Sequence, residues 1–363
     1  MSLMKQVKQQ LTYLPSKKLV AAADMVSCGT VMLNLALTGK TAGAFPKGFY
    51  TLLVGDTDSC KTFLCLATFA EAMLKPAFKD YRLIYDDNEN GIQLDVPQFF
   101  GQAVADRMEI VRSRYVENFY RRIDAELAKK KPFIYVLDSE NALNSKAAEK
   151  KAASNKARAD AGEDEKGSFV SRGTAKAHSE NLLRVTNGLE ETGSILIIIC
   201  QTRDRIGFGA QYDPKTRAGG RALAFFAQMQ IWTEVRTNIV KQVLGQKRQI
   251  GIIVRAKVKR SRVTGRKKTI EFPIYWSHGI DNTGSMVDYL IEEGVWSVNG
   301  DREATNEGKT VTAGDFNKVL KRAKLIEWIE SSPAREKKLR DLVRGRWNKV
   351  DEACAVKRKF RYA

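Results

Sequence analysis

The sequence lacks the features that mark membrane, secreted and metal-scaffold proteins. No apolar run approaches the roughly 18 residues needed to span a bilayer, and Ile195–Cys200 has only six. Residues 1–11 are polar and carry lysine, without the apolar segment of a secretory signal. The five cysteines form no CxxC pair, and only two histidines are present. We therefore expect a cytoplasmic protein with reduced thiols and no membrane contact.

Positive charge is in large excess over negative charge. The chain has 61 Lys and Arg against 42 Asp and Glu, a formal net charge of +19. Such an excess favours a polyanionic partner such as a nucleic acid. Solubility alone is the alternative, because many basic proteins bind no polyanion.

Short apolar strands alternate with helices through the middle of the chain. This alternation predicts an α/β fold with a mostly parallel central sheet, and such sheets bind ligands at the carboxyl ends of their strands. The predicted strands are Tyr50–Val54, Arg82–Tyr85, Phe133–Leu137 and Ile195–Cys200, and the predicted helices are Thr62–Leu74, Val116–Lys129 and Leu182–Glu191.

The remaining segments have other patterns. Lys146–Lys166 is rich in Ala, Lys and Glu and reads as an exposed helix or a mobile loop. Thr202–Gly220, with four glycines, predicts a long loop. Beyond about residue 280 the chain is predicted to be helical and basic. Before that, alternating patterns predict strands at Met229–Val235, Gln249–Lys259 and Thr269–Tyr275, with a hairpin turn at Gly265.

A candidate phosphate-binding loop lies between the first strand and its helix. Its residues are Gly55-Asp56-Thr57-Asp58-Ser59-Cys60-Lys61-Thr62, which match the GxxxxGK[ST] template except that Cys60 replaces the second glycine. In such a loop, backbone N–H groups hold phosphates. Lys61 would reach the β- and γ-phosphates of ATP, and the Thr62 hydroxyl would hold Mg²⁺. An ordinary turn between strand and helix is the alternative.

Two carboxylates follow other strands of the predicted sheet. Asp138 ends the apolar strand Phe133–Leu137, where a Walker B aspartate holds Mg²⁺. Glu89 comes just after the strand Arg82–Tyr85, where it could polarise an attacking water. Each alone is weak, since a helix cap or a solvated turn explains it equally well. Together with the candidate phosphate-binding loop, they occupy successive strand ends of one predicted sheet, and this combination favours a nucleotide site.

From Cys28 to Trp296 the chain resembles the RecA recombinase family, which includes bacterial RecA and phage UvsX-like proteins. The most specific part is Ile199–Arg203 followed by Gly219–Leu223. Further matching segments are Ser27–Leu37, Phe45–Gly48, Tyr85–Gly91, Tyr135–Ser139 and Glu271–Tyr275.

The resemblance implies a RecA-like P-loop NTPase core over residues 28–279. A short subunit-docking segment would occupy residues 1–27, and a small basic helical domain residues 280–363. It also implies ATP and Mg²⁺ as cofactors, bound between adjacent subunits. Glu89 would be the catalytic carboxylate and Gln201 the sensor of the γ-phosphate, while Arg260 and Arg262 would reach the neighbouring subunit's nucleotide.

The resemblance further implies two segments that contact single-stranded DNA. The first corresponds to about Glu163–Lys176, with Arg172, Gly173 and Lys176 as candidates. The second follows Gln201, where cationic and apolar side chains suit a nucleic-acid groove. Its candidates are Arg203, Arg205, Ile206, Gly207, Phe208, Arg217, Gly219, Gly220 and Arg221.

The expected function is ATP-dependent homologous recombination. The chain would form a helical filament on single-stranded DNA and exchange strands with duplex DNA, with single-strand-binding and loader proteins as candidate helpers. A hexameric helicase of the same fold is one alternative, since it shares the nucleotide residues but closes into a ring. A hydrolysis-poor recombination mediator is another, and Cys60 is its main support.

Overall fold

A large sheet positions the candidate nucleotide-site residues at the ends of its strands. The computed structural model describes residues 20–92, 94–160, 171–204, 215–217, 219–299, 310–356 and 358. The strands in these ranges are β1 Met25–Val26, β2 Phe45–Pro46, β3 Tyr50–Gly55, β4 Arg82–Asp87, β5 Met108–Val111, β6 Phe133–Asp138, β7 Ile195–Asp204, β8 Lys215–Arg217, β9 Met229–Val243, β10 Gln246–Ser261, β11 Thr269–Tyr275, β12 Gly279–Ile280, β13 Ser297–Asn299, β14 Thr310–Ala313 and β15 Lys318–Lys321.

The helices lie on both faces of this sheet and beyond its edge. The α-helices in the described ranges are α1 Val31–Thr38, α2 Lys61–Leu74, α3 Val96–Phe100, α4 Gln102–Arg107, α5 Val116–Ala128, α6 Lys146–Asp160, α7 Ser171–Thr192, α8 Gly220–Phe226, α9 Asn282–Glu292, α10 Arg322–Glu330 and α11 Pro333–Ala353.

The main sheet has the order β12-β11-β10-β9-β3-β7-β6-β4-β5, and β8 pairs with the end of β7. The pairings from β9 through β3, β7, β6 and β4 to β5 are parallel, whereas β9 to β12 form an antiparallel extension. The predicted α/β fold with a mostly parallel central sheet is therefore confirmed. Because β3, β4, β6 and β7 run in the same direction, their carboxyl ends meet at one edge.

The two faces of the sheet are packed by two separate hydrophobic clusters. Successive side chains of a strand point to opposite faces, so Leu53 joins one cluster while Leu52 and Val54 join the other. Helices α1 and α2 cover the first face, and α5, α7 and α8 cover the second. Both faces of β3 are buried, which explains why this strand reads as a continuous apolar run.

The strands predicted from the sequence all form, and several extend further than predicted. Thr269–Tyr275 has the predicted bounds, and Gly265 lies in the turn between β10 and β11 with a positive φ of 68°. Strands β9 and β10 are longer because they pair with each other beyond the part that the core covers. Within Lys146–Lys166, the described residues form α6, so the helix alternative holds there.

Three predictions need correction. Thr202–Gly220 is not wholly a loop, because Thr202–Asp204 continues β7 and pairs with β8. The helix predicted at Leu182–Glu191 begins earlier, at Ser171. The region beyond residue 280 is not only helical, since β13, β14 and β15 form a small antiparallel sheet. In each case, pairing or packing with distant parts of the chain forms a strand or helix where the local sequence pattern does not predict one.

The C-terminal part packs onto the core through apolar side chains. Trp296, Val311, Leu325 and Trp347 belong to the same hydrophobic cluster as Leu53. The predicted division at residue 280 remains a prediction. Among the described helices, none is both long enough and apolar enough to cross a membrane.

Candidate nucleotide and DNA site

The loop from β3 to α2 contains the one departure from the phosphate-loop template, Cys60. Cys60 adopts the left-handed region, with φ 73° and ψ 12°, immediately before α2 begins at Lys61. Glycine is favoured there because it has no Cβ, yet Cys60 takes up this conformation and packs against the core. Burial raises the pKa of its thiol well above the ordinary value, so the group stays neutral.

Lys61 points back along the same loop. Its Nζ donates to the Asp56 carbonyl oxygen over 2.5 Å and lies 3.5 Å from Ser59 Oγ. The residue is only 8% exposed. Burial lowers the pKa of the ammonium, and the nearby carboxylates of Asp138, Glu89 and Asp56 oppose that shift. An ammonium among oxygen acceptors at a helix N-terminus suits the binding of phosphate.

Asp138 lies at the end of β6, directly beside Thr62. Thr62 Oγ1 donates to Asp138 Oδ2 over 2.7 Å, and the Tyr85 hydroxyl donates to the same oxygen over 2.5 Å. Burial raises the pKa of this carboxyl, while the two hydroxyl donors act in the opposite direction. The structure thus brings the two predicted Mg²⁺ ligands together.

Glu89 follows β4 in a turn that faces the same edge. Asp87 accepts from the Gly91 backbone N–H over 2.9 Å, which holds this turn in place. Glu89 Oε1 accepts hydrogen bonds from Ser139 Oγ and from Gln201 Nε2, the latter over 2.9 Å. The predicted catalytic carboxylate and the predicted phosphate sensor are therefore in direct contact.

A second contact joins the phosphate loop to the β7–β8 hairpin. The Asp56 carboxylate accepts from Thr202 Oγ1 and forms an ion pair with Lys215 Nζ. Burial acts to raise the pKa of Asp56, but hydrogen bonds from Lys215 and Thr202 outweigh it, and the pKa is lowered. The Asp56 carboxylate is thus stabilised in its ionised form by contacts with the β7–β8 hairpin, which is distant from Asp56 in the sequence.

The second predicted DNA segment begins in this hairpin and ends at the start of α8. Arg203 pairs with Thr216 across the two strands and is exposed. Arg217 donates to the Gly220 carbonyl oxygen over 2.5 Å, and Arg221 is exposed at the start of α8. Gly219 and Gly220 both have positive φ values. The other candidates lie outside the described residues; they are Arg205, Ile206, Gly207 and Phe208.

The described part of the first predicted DNA segment is helical rather than a loop. Residues 171–176 form the start of α7, because their backbone continues the helix that packs on the sheet. Gly173 lies against Ser145, where an added Cβ would come 2.1 Å from Ser145 Oγ. Lys176 is exposed and forms an ion pair with Glu180 over 3.6 Å. The backbone of Arg172 belongs to the same helix.

The two arginines predicted to reach the neighbouring subunit's nucleotide lie at the C-terminal end of β10 and just after it. Arg260 Nη1 donates to the carbonyl oxygens of Ala224, Phe225 and Ala227 at the end of α8. Arg262 is exposed just beyond the strand. Within one chain, Arg260 thus stabilises the helix that follows the second DNA segment, and its predicted role at a neighbouring nucleotide stays a prediction.

Sequence reasoning missed several residues of this site. The sequence predicts Tyr85 only as part of a strand. It likewise predicts Thr233, whose hydroxyl lies 2.9 Å from Ser59 Oγ, only as part of the strand Met229–Val235. Lys215 was not singled out. No local pattern marks these residues, because the partner of each lies far away in the sequence.

Comparison with known proteins gives one consistent result. Residues 4–281 match the RecA N-terminal domain family. The chain is 27% identical to the RecA protein of Chloroherpeton thalassium over 289 residues, covering 76% of this chain and 70% of that protein. It is 27% identical to that of Rhizobium rhizogenes over 307 residues, covering 81% and 74%. For the RecA protein of Lactococcus lactis subsp. cremoris the identity is 26% over 288 residues, covering 79% and 68%.

Proposed function

The chain belongs to the RecA family, and from this membership together with the site we propose an ATP-dependent recombinase that forms filaments on single-stranded DNA. DNA recombination and repair, ATP binding and DNA binding are properties of the family. Filament formation and strand exchange with duplex DNA are the finer part of the proposal. Its setting would be the cytoplasm of a bacterium or a phage-infected cell, with single-strand-binding and loader proteins as candidate helpers.

One observation carries the proposal most directly. Gln201 ends the buried part of β7, contacts Glu89 at the nucleotide edge, and is followed by the β7–β8 hairpin. A γ-phosphate bound near Glu89 would compete for the Gln201 amide. The Gln201 side chain would then move together with the strand that leads into the DNA segment. This is a short physical link between nucleotide state and DNA binding.

The residues at the strand ends suit ATP with magnesium. Thr62 Oγ1 and Asp138 Oδ2 form a pair of oxygen donors 2.7 Å apart. Mg²⁺ prefers oxygen ligands and usually completes its shell with phosphate oxygens and waters. When bound there, the ion would neutralise phosphate charge. No group of three or more His, Cys, Asp and Glu side chains that could hold a metal occurs in the described part of the chain.

The chain's own residues would then have separate roles in binding and hydrolysing ATP. Lys61 would leave the Asp56 carbonyl oxygen for the β- and γ-phosphates. Glu89 would orient the attacking water, which is worth about 10²–10⁴-fold in rate for a positioned acid or base. Arg260 and Arg262 would contribute charge from a neighbouring subunit. A head-to-tail interface that does not close then builds a helical filament.

The test is the effect of Lys61→Ala on ATP-dependent DNA binding. Binding of a labelled single strand is measured by fluorescence anisotropy with and without ATP and magnesium. We expect the parent chain to bind more tightly with ATP and Lys61→Ala to lose that difference. Lys324→Ala, which removes an exposed lysine of α10, is the matched control and should behave like the parent. Equal ATP-dependent tightening in Lys61→Ala would refute the proposal.

Two further measurements separate the rival functions. Electron microscopy with DNA and a slowly hydrolysed ATP analogue distinguishes a filament from the ring of a hexameric helicase. DNA-stimulated ATP hydrolysis distinguishes a recombinase from a hydrolysis-poor mediator. Because Cys60 already adopts a left-handed conformation, as the template glycine can, we expect hydrolysis to be present. We expect filaments rather than rings because the segment from Gln201 to Arg221 favours the recombinase over the helicase.

A further inference from the structure

The turn that follows Asp138 contacts three other parts of the site. Ser139 Oγ donates to Glu89, and Asn141 Oδ1 accepts from the Gln201 backbone N–H over 2.9 Å. Between these two residues, Glu140 points the other way, into the protein. The turn therefore connects Asp138, at the end of β6, with the turn after β4 and with β7.

Glu140 forms a buried polar network with two residues of the packed helices. Glu140 is 3% exposed and His178, on α7, is fully buried. His178 Nε2 lies 3.2 Å from Glu140 Oε1, and His178 Nδ1 lies 2.6 Å from the Tyr120 hydroxyl of α5. Burial raises the pKa of Tyr120 far above its usual range, so the phenol keeps its proton. The Tyr120 hydroxyl shares a hydrogen bond with Nδ1, and because an ionised carboxylate can only accept, Nε2–H donates to Glu140.

The carboxylate of Glu140 depends on this one donor. Its other oxygen, Oε2, has no hydrogen-bond partner among the residues that the structure describes. A buried carboxylate oxygen without a hydrogen-bond partner lowers the stability of the fold. Natural proteins leave buried polar atoms without such partners mainly at functional sites. Hydrogen bonding to His178 is therefore what sets the position of the Glu140 side chain.

Glu140 also touches the stem of the second DNA segment. Gly219, with a φ of +80°, lies so close that an added Cβ would be 2.7 Å from the Glu140 carboxyl carbon. Through His178, the same side chain reaches α7, whose first turns carry Gly173 and Lys176. One carboxylate thus links the phosphate-site turn to the stems of both predicted DNA segments.

We propose that Glu140 and His178 are positioning residues that transmit the nucleotide state to both DNA-binding segments, by a route separate from Gln201. When nucleotide and metal rearrange Asp138 and Ser139, Glu140 moves with the same turn. That movement shifts α7 through His178 and shifts the backbone at Gly219, immediately before α8. This inference rests on the proposed nucleotide-dependent binding of single-stranded DNA.

The experiment measures the ratio of single-strand affinities with and without a slowly hydrolysed ATP analogue. Fluorescence anisotropy of a labelled oligo-dT gives both affinities for the parent, Glu140→Ala and His178→Ala. Allosteric coupling between sites spans roughly 5–150-fold, and we expect each variant to lower the ratio by about five- to tenfold. Affinity for the analogue without DNA should change less than about twofold, because neither residue lies against the phosphate loop.

A conservative variant separates positioning from simple loss of stability. The Glu140→Gln amide oxygen still accepts from His178 Nε2–H, so this variant should keep the ratio within about twofold of the parent. The double variant Glu140→Ala with His178→Ala should lose no more than the worse single variant, because residues that act through one contact are not additive. A Glu140→Gln ratio as low as that of Glu140→Ala would overturn the proposal.

Two safeguards keep the test decisive. If the alanine variants do not fold, Glu140→Leu with His178→Leu removes both polar groups together, which proteins often tolerate, and should show the same lowered ratio. Folded variants with the full parental ratio would overturn this inference alone. A parent with no nucleotide effect on DNA binding would overturn the proposed function and this inference with it.

Discussion

Gln201 donates its side-chain amide to Glu89 over 2.9 Å. The two residues lie 112 positions apart in the chain. Gln201 ends the buried part of β7, and Glu89 lies in the turn after β4. The predicted sensor is therefore in contact with the predicted catalytic carboxylate, and a γ-phosphate at the proposed site would compete with that contact.

The first prediction concerns Glu89. Glu89→Gln should keep nucleotide binding but reduce DNA-stimulated ATP hydrolysis by about 10²–10⁴-fold, the usual contribution of a general base. Hydrolysis is measured by phosphate release at saturating ATP and DNA, and nucleotide affinity by a fluorescent analogue. Glu327→Gln, at an exposed position on α10, is the control. Hydrolysis at the parental rate in Glu89→Gln would exclude a catalytic role for this carboxylate.

The second prediction concerns the replaced glycine. A left-handed conformation costs a non-glycine residue roughly 1–2 kcal/mol, so Cys60→Gly should keep or raise ATP hydrolysis. Cys60→Val should lower both hydrolysis and the free energy of unfolding, because a β-branched residue is a true outlier at this φ. Urea unfolding and phosphate release measure the two effects. If Cys60→Val hydrolysed ATP as fast as Cys60→Gly, backbone conformation at this position would not limit the reaction.

The third prediction concerns the ion pair between Asp56 and Lys215. Lys215→Met should raise the pKa of Asp56, which is measurable by NMR titration of the carboxyl carbon. An acid whose folded-state pKa is lowered contributes stability above its ordinary pKa, and that stability is lost as the pH falls through the folded-state pKa. Removing Lys215 should therefore weaken the fold at neutral pH and make little difference in strong acid.

The size of that effect should be modest, since both side chains are partly exposed. A double-mutant cycle of Asp56→Asn and Lys215→Met should give a coupling of at most about 1 kcal/mol at low salt. The pair of Lys130 and Glu191, which is more exposed, is the matched control and should couple less. Equal coupling in the two pairs would show that the contact with the phosphate loop has no special strength.

The fourth prediction concerns the exposed arginine of the hairpin. If Arg203 contacts one phosphate, Arg203→Ala should weaken single-strand binding and reduce the slope of log affinity against log salt by about 0.7. Binding is measured by anisotropy at several salt concentrations with a slowly hydrolysed ATP analogue. Lys324→Ala on α10 should leave the slope unchanged. An unaltered slope in Arg203→Ala would remove this residue from the DNA interface.

The local parts of the site were predictable from the sequence. A buried strand, a loop ending in Lys61 and Thr62, and a helix follow one another in the chain, so their joint pattern carries the signal. Asp138 and Glu89 were found for the same reason, because each comes directly after an apolar strand. The bounds of β7 were not, since pairing with β8 extends a strand into a segment rich in glycine and arginine.

The sequence by itself predicted the main strands and helices of the parallel sheet, the loop from β3 to α2 as a candidate phosphate site, and the excess of positive charge, because these depend on neighbouring residues and on composition. Only the tertiary structure decided which distant side chains meet. Asp56 and Lys215 are 159 positions apart, and Glu140 and His178 are 38 apart. Their contacts follow from strand order, register and helix packing, and no local pattern records those. The same packing buries Glu140 against His178, the donor to its carboxylate, which is why the role of that residue is apparent only in the fold.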